Sequence, residues 1–325
     1  MTELNMVEAL RSTLRSEMER DERVMVLGMD VGRLGGVFRV TQGLLERFGP
    51  ERVVDMPLAE GAIIGSSIGL AIGGMIPVPE IQFLGFTHQA MHQIGPQLGR
   101  YRYRSRGRFS CPVTIRAPFG GGVRTPEFHP DAIEAQFVQQ PGIKIVCPAN
   151  PYDAKGLLLE AIRDPDPVLF LEPQRLYRSE RVTVPDDDYQ IPFGQSRIAR
   201  DGKDVVIIAW SAAVELSLRA ADQVSADGIS AAVLDLRTLV PLDIDGLVRN
   251  VSASGRAVVV HEAPLSGGFG SEIVATLQQE AFMSLDAPIE RVAAWDTPYP
   301  PGSLENHYLP SVEQVVQAVK RVAAY

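Results

Sequence analysis

The sequence is poor in cysteine. Its 325 residues include two, Cys111 and Cys147, too few for a disulfide framework or a cysteine-based zinc motif. Buried free thiols in a reducing compartment are the expectation. Positive charge is also short. A net charge of −9 lacks the basic footprint of a nucleic-acid binder, although it permits a basic protein partner. There is one long uncharged run, the 18 residues from Gly61 to Val78. It is barely long enough to span a bilayer, and it carries five glycines and is broken by Pro77 and Pro79. The reading is therefore a buried helix of a soluble protein. The stretch MTELNMVEALRSTLRSEMERDERV lacks the apolar core of a signal peptide. Its Met6, Leu10, Leu14 and Met18 have the spacing of an amphipathic helix. A cytoplasmic protein with no membrane or nucleic-acid partner is expected. There is no GxSxG elbow and no Walker loop, so hydrolase and nucleotide-triphosphatase chemistry lack their usual motifs.

What is present is an alternation of strands and helices, which indicates parallel sheets. The fold class expected is α/β, with two open, mostly parallel sheets. The first domain runs over 1–185, a Pro/Asp-rich linker over 186–200 and a smaller domain over 201–325. The stretch DMPLAEGAIIGSSIGLAIGGMIPVPEIQF organises the first domain. Val53-Val54 ends a strand, Pro57 stiffens the turn, and Glu60 stands where a helix begins. A carboxylate there is either a plain first-turn residue favoured by the helix dipole or, beneath an apolar ring, a proton donor and acceptor. Gly65, Gly69 and Gly73 recur every four residues on one helix face and predict close packing at a subunit contact.

Other candidates follow in order. VGRLGGVFRVTQGL is a glycine-rich loop with only a weak phosphate signature. Thr87–Leu98 is predicted helical, placing His88 and His92 on one face, without an evident third ligand for a metal. Arg100–Arg108, with five arginines, reads as a solvated or interface-bridging face. His129 lies on a loop just before a helix expected near Asp131, a frequent place for functional side chains. Gly267-Gly268-Phe269-Gly270 reads as a turn before a helix.

The stretches MVEAL, GGVFRVTQGL, DMPLAE, PVPEIQF, RYRS, YDAKGLLLEAIRDPDPVLFLEP, LYR, DLRTLVPLD, VVVHEAP and DTPYPP together resemble the β subunit of thiamine-diphosphate-dependent 2-oxo acid dehydrogenases over nearly the whole chain. The branched-chain (2-oxoisovalerate) type is the one they most resemble. The resemblance implies a pyrimidine-binding domain followed by a transketolase C-terminal-like domain. It implies two α and two β chains, with the cofactor between them and a lipoyl acyltransferase core as acyl acceptor. The diphosphate-and-Mg2+ motif belongs to the α chain in such enzymes, and no GDG occurs here. Matched residue by residue, Glu60 falls on the glutamate that hydrogen-bonds the pyrimidine nitrogen and Leu58 on the adjoining backbone contact. Gln82 and Phe86 fall on positions lining or stacking on the ring, and His129 on the substrate-facing loop histidine. Cys111, Val113, Thr114, Ala161, Asp164 and Asp166 fall on a potassium (K+) site made mostly of carbonyls.

The sequence departs from the family pattern around the expected pocket mouth. Met29 replaces a glutamate, HPDA (with Pro130 and Asp131) replaces HSQS, and FLGF is followed by His88 and His92. Those histidines would suit a polar substrate if they faced the pocket. Transketolase-like ketol transfer is therefore a second reading, and a non-catalytic assembly subunit a third.

Overall fold

The computed structural model describes all 325 residues. Its first sheet has seven strands. In spatial order they are Thr238–Val240, Lys144–Val146, Val168–Pro173, Thr114–Phe119, Ile76–Glu80, Val24–Gly28 and Val53–Asp55. All neighbours are parallel except the first pair. The second sheet has five, Glu290–Ala294, Ala257–Pro264, Val205–Ala209, Ala231–Asp235 and Arg197–Arg200, with only the last antiparallel.

Period-two alternation explains how both sheets bury both faces. On Val168–Pro173, Leu169 and Leu171 enter one core while Val168 and Phe170 enter another beneath the helices Met6–Arg20 and Pro151–Arg163. On Val205–Ala209, Val206 and Ile208 join that first core, whereas Val205 and Ile207 pack under Ala212–Ser225 and Val312–Ala323. One hydrophobic core thus runs continuously between the two sheets. The first helix starts on a capping box: Asn5 accepts from the Glu8 N–H, and Glu8 accepts from the Asn5 N–H.

Four features differ from the sequence reading. Arg197–Arg200, inside the expected linker, is the edge strand of the second sheet. Thr238–Val240 leaves the second domain to pair antiparallel with Lys144–Val146 of the first. The segment 87–98 is not one α-helix: a 3₁₀ stretch, Leu84–Ala90, is followed by a π-helical stretch, Gln93–Gly99, containing Pro96. Pro96 has no N–H to donate, and the wider turn accommodates it. The helix after the His129 loop begins at Glu134 rather than near Asp131. Cys111 and Cys147 are free and buried.

At the domain interface, Glu134 accepts from Trp210 Nε1 at 3.2 Å, and Trp210 stacks on His261 at 5.2 Å between centroids. Burial pushes the Glu134 carboxyl up to about 7. Burial, with Arg291 nearby, lowers the His261 imidazole from 6.5 to about 4. Between those two values the unfolded chain binds a proton that the folded chain does not. Stability should therefore fall as pH drops from 6.5 to about 4, by on the order of 3 kcal/mol. Glu134 has the opposite sign, favouring the fold as pH drops through about 7. His261→Phe, which retains an aromatic ring, should flatten the fall of Tm below pH 6 by about one proton's worth. Thermal scans across pH check this, and an unchanged slope would refute it.

Candidate active site

The parallel register brings Gly28 level with Asp55 and Glu80, and Glu80 level with Arg116. The loops after these strands therefore gather at one carboxyl edge, where open α/β sheets place ligand sites. Asp30, Leu58, Glu60, Gln82, Phe86 and His129 all lie on these loops or at the start of the helix that follows one of them.

Glu60 opens the helix Glu60–Ile72, whose N-cap, Ala59, has no side chain to satisfy the first amides. The Glu60 side chain is buried, and its Oε2 has no hydrogen-bond partner. Such an atom costs ~1–3 kcal/mol unless a ligand completes it. The helix N-terminus favours negative charge there. Leu58, on the preceding turn, is exposed.

Gln82 is buried and donates to Asp30 Oδ2 at 3.1 Å, while Asp30 sits in the left-handed region at φ 61°. The amides of Gly32 and Arg33 in the glycine-rich loop donate to the Asp55 carboxylate at 2.6 and 3.1 Å. That loop is thus fastened by Asp55 and leaves these two amides unavailable to a phosphate.

Phe83, Phe86 and His129 form a ring cluster. His129 lies 4.4 Å from Phe83 and 5.1 Å from Phe86 between centroids. His129 Nδ1 is 2.9 Å from the Glu127 carbonyl. A carbonyl only accepts, so Nδ1 carries the proton, and Nε2 of the neutral ring is the free acceptor. Gln174 Nε2 donates to the His129 carbonyl at 2.7 Å and anchors the loop from the other side.

Beneath these loops lies a charge triad. The fully buried Arg116 makes a two-point contact with Glu172, at 2.7 and 2.9 Å, and donates to Glu80 at 2.7 Å. Tyr177 donates its hydroxyl to Glu172 at 2.5 Å. Burial works against the guanidinium charge, but Glu172 and Glu80 outweigh it and hold the Arg116 pKa above its ordinary value. Burial pushes the Glu80 carboxyl up, with Arg116 opposing. The triad ties together the carboxyl ends of three adjacent strands under the site.

Comparison with known proteins now decides the family. Residues 2–180 match the pyrimidine-binding domain of transketolase, and residues 194–315 the transketolase C-terminal domain. The "Pyruvate dehydrogenase E1 component subunit beta" of Bacillus subtilis (strain 168) is 50% identical over 325 residues, 100% of each chain. The protein of the same name from Staphylococcus epidermidis (strain ATCC 12228 / FDA PCI 1200) is 49% identical over 320 residues, 98% of each. The chain belongs to the E1 β-subunit family of 2-oxo acid dehydrogenases. A solved structure described as "Split gene transketolase, inactive beta4 tetramer" superposes with a TM-score of 0.81 at 25% identity, over 99% of both chains.

Family membership agrees with the resemblance read from the sequence, and the fold agrees with the two domains it implied. The branched-chain type does not follow: these E1 β relatives are named for pyruvate. His88 and His92 do not meet as a pair. Both are exposed. His88 bonds the Gly85 carbonyl and lies 3.2 Å from Gln136 Oε1, whereas His92 accepts from Gln97. Neither stands in the Phe83–Phe86–His129 cluster. No group of three histidine, cysteine or acidic side chains is placed to hold a metal.

Several oxygens of the residues matched to a K+ site are engaged within the chain. Thr114 Oγ1 donates to the Ala161 carbonyl at 3.0 Å, and the Asp166 N–H donates to Asp164 at 2.8 Å. Val113 N–H donates to the Cys111 carbonyl at 2.8 Å. The Asp164 carboxylate is also paired with the Lys144 ammonium. A cavity of about 920 Å3 lies away from Glu60. Leu98, Arg102, Cys111, Lys144, Asp166 and Val240 are among its lining residues. No helix is long and apolar enough to cross a membrane.

The sequence reading missed the Arg116 triad and the Asp30–Gln82 contact. Both lie in or beside quoted motifs, PVPEIQF and YDAKGLLLEAIRDPDPVLFLEP among them. Nothing local marks their partners, which are 36 to 56 residues away in the chain.

Proposed function

We propose that this chain is the β subunit of a first-component enzyme that decarboxylates a small 2-oxo acid and passes the acyl group to a lipoyl carrier. In this reading it works with an α subunit in a two-α, two-β assembly. The observation that supports it most is Glu60: a buried carboxylate oxygen without a partner, at a helix N-terminus, on the same sheet edge as an aromatic cluster holding a histidine. Thiamine diphosphate, when bound, supplies a carbon nucleophile and the electron sink that lets carbon dioxide leave.

The chain's residues divide the remaining work. Glu60 Oε2 would hold and return a proton for the pyrimidine ring. Phe86 would offer an aromatic face to that ring, and the Leu58 backbone and the Gln82 amide would hold its edge. His129, with Nε2 free, faces the substrate and moves or orients a proton there. Mg2+ and the diphosphate would be held by the α subunit, and a K+ ion would be held at Val113, Ala161, Asp164 and their neighbours.

Pyruvate is the substrate favoured over a branched acid, on the strength of the relatives' names. The test is kcat/KM of the assembled enzyme for pyruvate, 2-oxoisovalerate and a ketose phosphate, with a lipoyl domain as acceptor. Preference for a 2-oxo acid supports the reading. Preference for the ketose phosphate would move it to ketol transfer, which the outward placement of His88 and His92 already disfavours. A chain retained only for assembly would not need the unpartnered Glu60 oxygen. The acidic C-terminal domain is proposed to dock a basic segment of the acyltransferase core.

The helix after Glu60 bears on assembly. A Cβ at Gly61 would meet the Gln89 carbonyl at 3.2 Å, but one at Gly69 would meet nothing within 4 Å in this chain. Gly69→Leu should leave the β fold intact while preventing close approach of another helix. Size-exclusion chromatography with the α chain should show loss of the complete assembly. Normal assembly of that variant would count against a contact on this face.

A further inference from the structure

Three consecutive glycines, Gly120-Gly121-Gly122, begin the loop that carries His129. Each is crowded by a long side chain. A Cβ at Gly120 would lie 2.5 Å from Glu262 Oε2, one at Gly121 would lie 2.1 Å from the Tyr299 hydroxyl, and one at Gly122 would lie 2.8 Å from Arg175 Cδ. Gly120 and Gly122 also have positive φ, which favours glycine. The crowding has a purpose in hydrogen bonding. The Gly121 N–H donates to Glu262 at 3.0 Å. The Arg124 N–H donates to both oxygens of Glu305, at 3.1 and 3.3 Å. Tyr299 donates to Glu305 Oε1 at 2.7 Å. Glu305 is 2% exposed. Glu262, Tyr299 and Glu305 all belong to the second domain, up to 181 residues along the chain from the amide they hold.

We infer that Glu305, oriented by Tyr299 and assisted by Glu262, is a positioning residue that sets the path of the His129 loop from the second domain. The inference rests on His129 facing the substrate, as proposed above. Between Phe119 and Glu134 the chain has no helix or strand. Its side packs on Phe83, Phe86, Gly85 and Gly302, while its hydrogen bonds to other segments include those to these two carboxylates at one end and Gln174 at the other. Arg124 and Phe128 both lie in the left-handed region, at φ 56° and 70°. Non-glycine residues hold that conformation only when surrounding contacts impose it. Loss of the acceptor for the Arg124 N–H would let the loop relax and move the His129 ring. A misplacement of about 1 Å can cost about 100-fold in rate.

The test uses the assembled α/β enzyme with Glu305→Ala, Glu305→Gln, Tyr299→Phe and His129→Ala. Glu305→Ala should lower kcat by roughly 10- to 100-fold and raise amide hydrogen exchange over residues 120–129, with exchange in the strand Val24–Gly28 unchanged. Glu305→Gln keeps one acceptor oxygen and should recover most of both. Unchanged exchange over that loop in Glu305→Ala would overturn the clamp, and so would unchanged kcat. If Glu305→Ala fails to assemble, Tyr299→Phe carries the same test, with a smaller loss expected in both readouts and no change in either overturning the clamp. If His129→Ala retains full activity while Glu305→Ala still loosens the loop, the role of His129 is wrong and the clamp serves only the fold. If His129→Ala is impaired and Glu305→Ala is not, the clamp alone fails.

Discussion

Glu60→Ala in the assembled enzyme should reduce turnover by about 10²–10⁴-fold, the usual contribution of a positioned proton-transfer group. The α/β assembly should be unaffected. The carboxylate costs the apo chain stability, because its Oε2 is buried without a partner. Removing it should therefore leave Tm unchanged or slightly raised, whereas an ordinary stabilising first-turn glutamate would lose ~0.3–1 kcal/mol. Two measurements separate these cases. Hydrogen–deuterium exchange at the thiazolium carbon of added thiamine diphosphate reads the proton transfer itself, and a thermal scan of the apo protein reads the cost of burial. Wild-type exchange in the variant would reduce Glu60 to a helix-start residue. Glu60→Gln retains size and one acceptor, so it should bind the cofactor nearly normally yet exchange slowly. That outcome would assign the loss to the proton rather than to packing.

The second large effect is on the fold. Arg116→Leu should destabilise the protein by about 3–5 kcal/mol, the range for removing one partner of a buried ion pair. Glu80 and Glu172 would be left buried without their cation, and the Tyr177 hydroxyl alone cannot serve both. The loss should depend on pH. Without the guanidinium, burial and the neighbouring Glu172 charge set the Glu80 carboxyl, and its pKa rises further above the ordinary glutamate value. An acid whose pKa is raised by folding favours the folded state at low pH and loses that stability as pH rises through the folded pKa. The variant's deficit should therefore be small in mild acid and largest at neutral pH. The triple variant Arg116→Leu, Glu80→Gln, Glu172→Leu removes the uncompensated charges and should recover most of the loss. A flat pH profile for Arg116→Leu, or no recovery in the triple variant, would show that the triad's charge does not govern stability here. Reduced activity should accompany the single variant, because the triad joins the strand ends that carry Gln82 and the His129 loop.

Much of this molecule is written in local pattern. Unbroken apolar runs in VLFLEP and VVIIA specify strands buried on both faces, since a period of two sends successive side chains to opposite cores. Met6, Leu10, Leu14 and Met18 define one helix face for the same kind of reason, and all four are buried. Glu60 followed by an uncharged, glycine-marked run specified a helix start, because a carboxylate suits free N-terminal amides.

Tertiary structure decided what local pattern does not encode. The direction of His88 and His92 depended on whether 84–99 forms one α-helix. With 3₁₀ and π stretches instead, the four-residue spacing no longer defines a shared face. The strand Thr238–Val240 reads like any short apolar run, yet it joins the other domain's sheet, because the edge at Lys144–Val146 offers unpaired backbone groups. Arg116 has nothing around it in the sequence to name Glu172 as its partner, and Glu305 lies 181 residues from the Arg124 amide it accepts. Hydrogen bonds over such separations leave no period and no spacing in the chain. They arise only when packed sheets bring the groups into the same dry volume, where an unpaired charge or amide is too costly to persist.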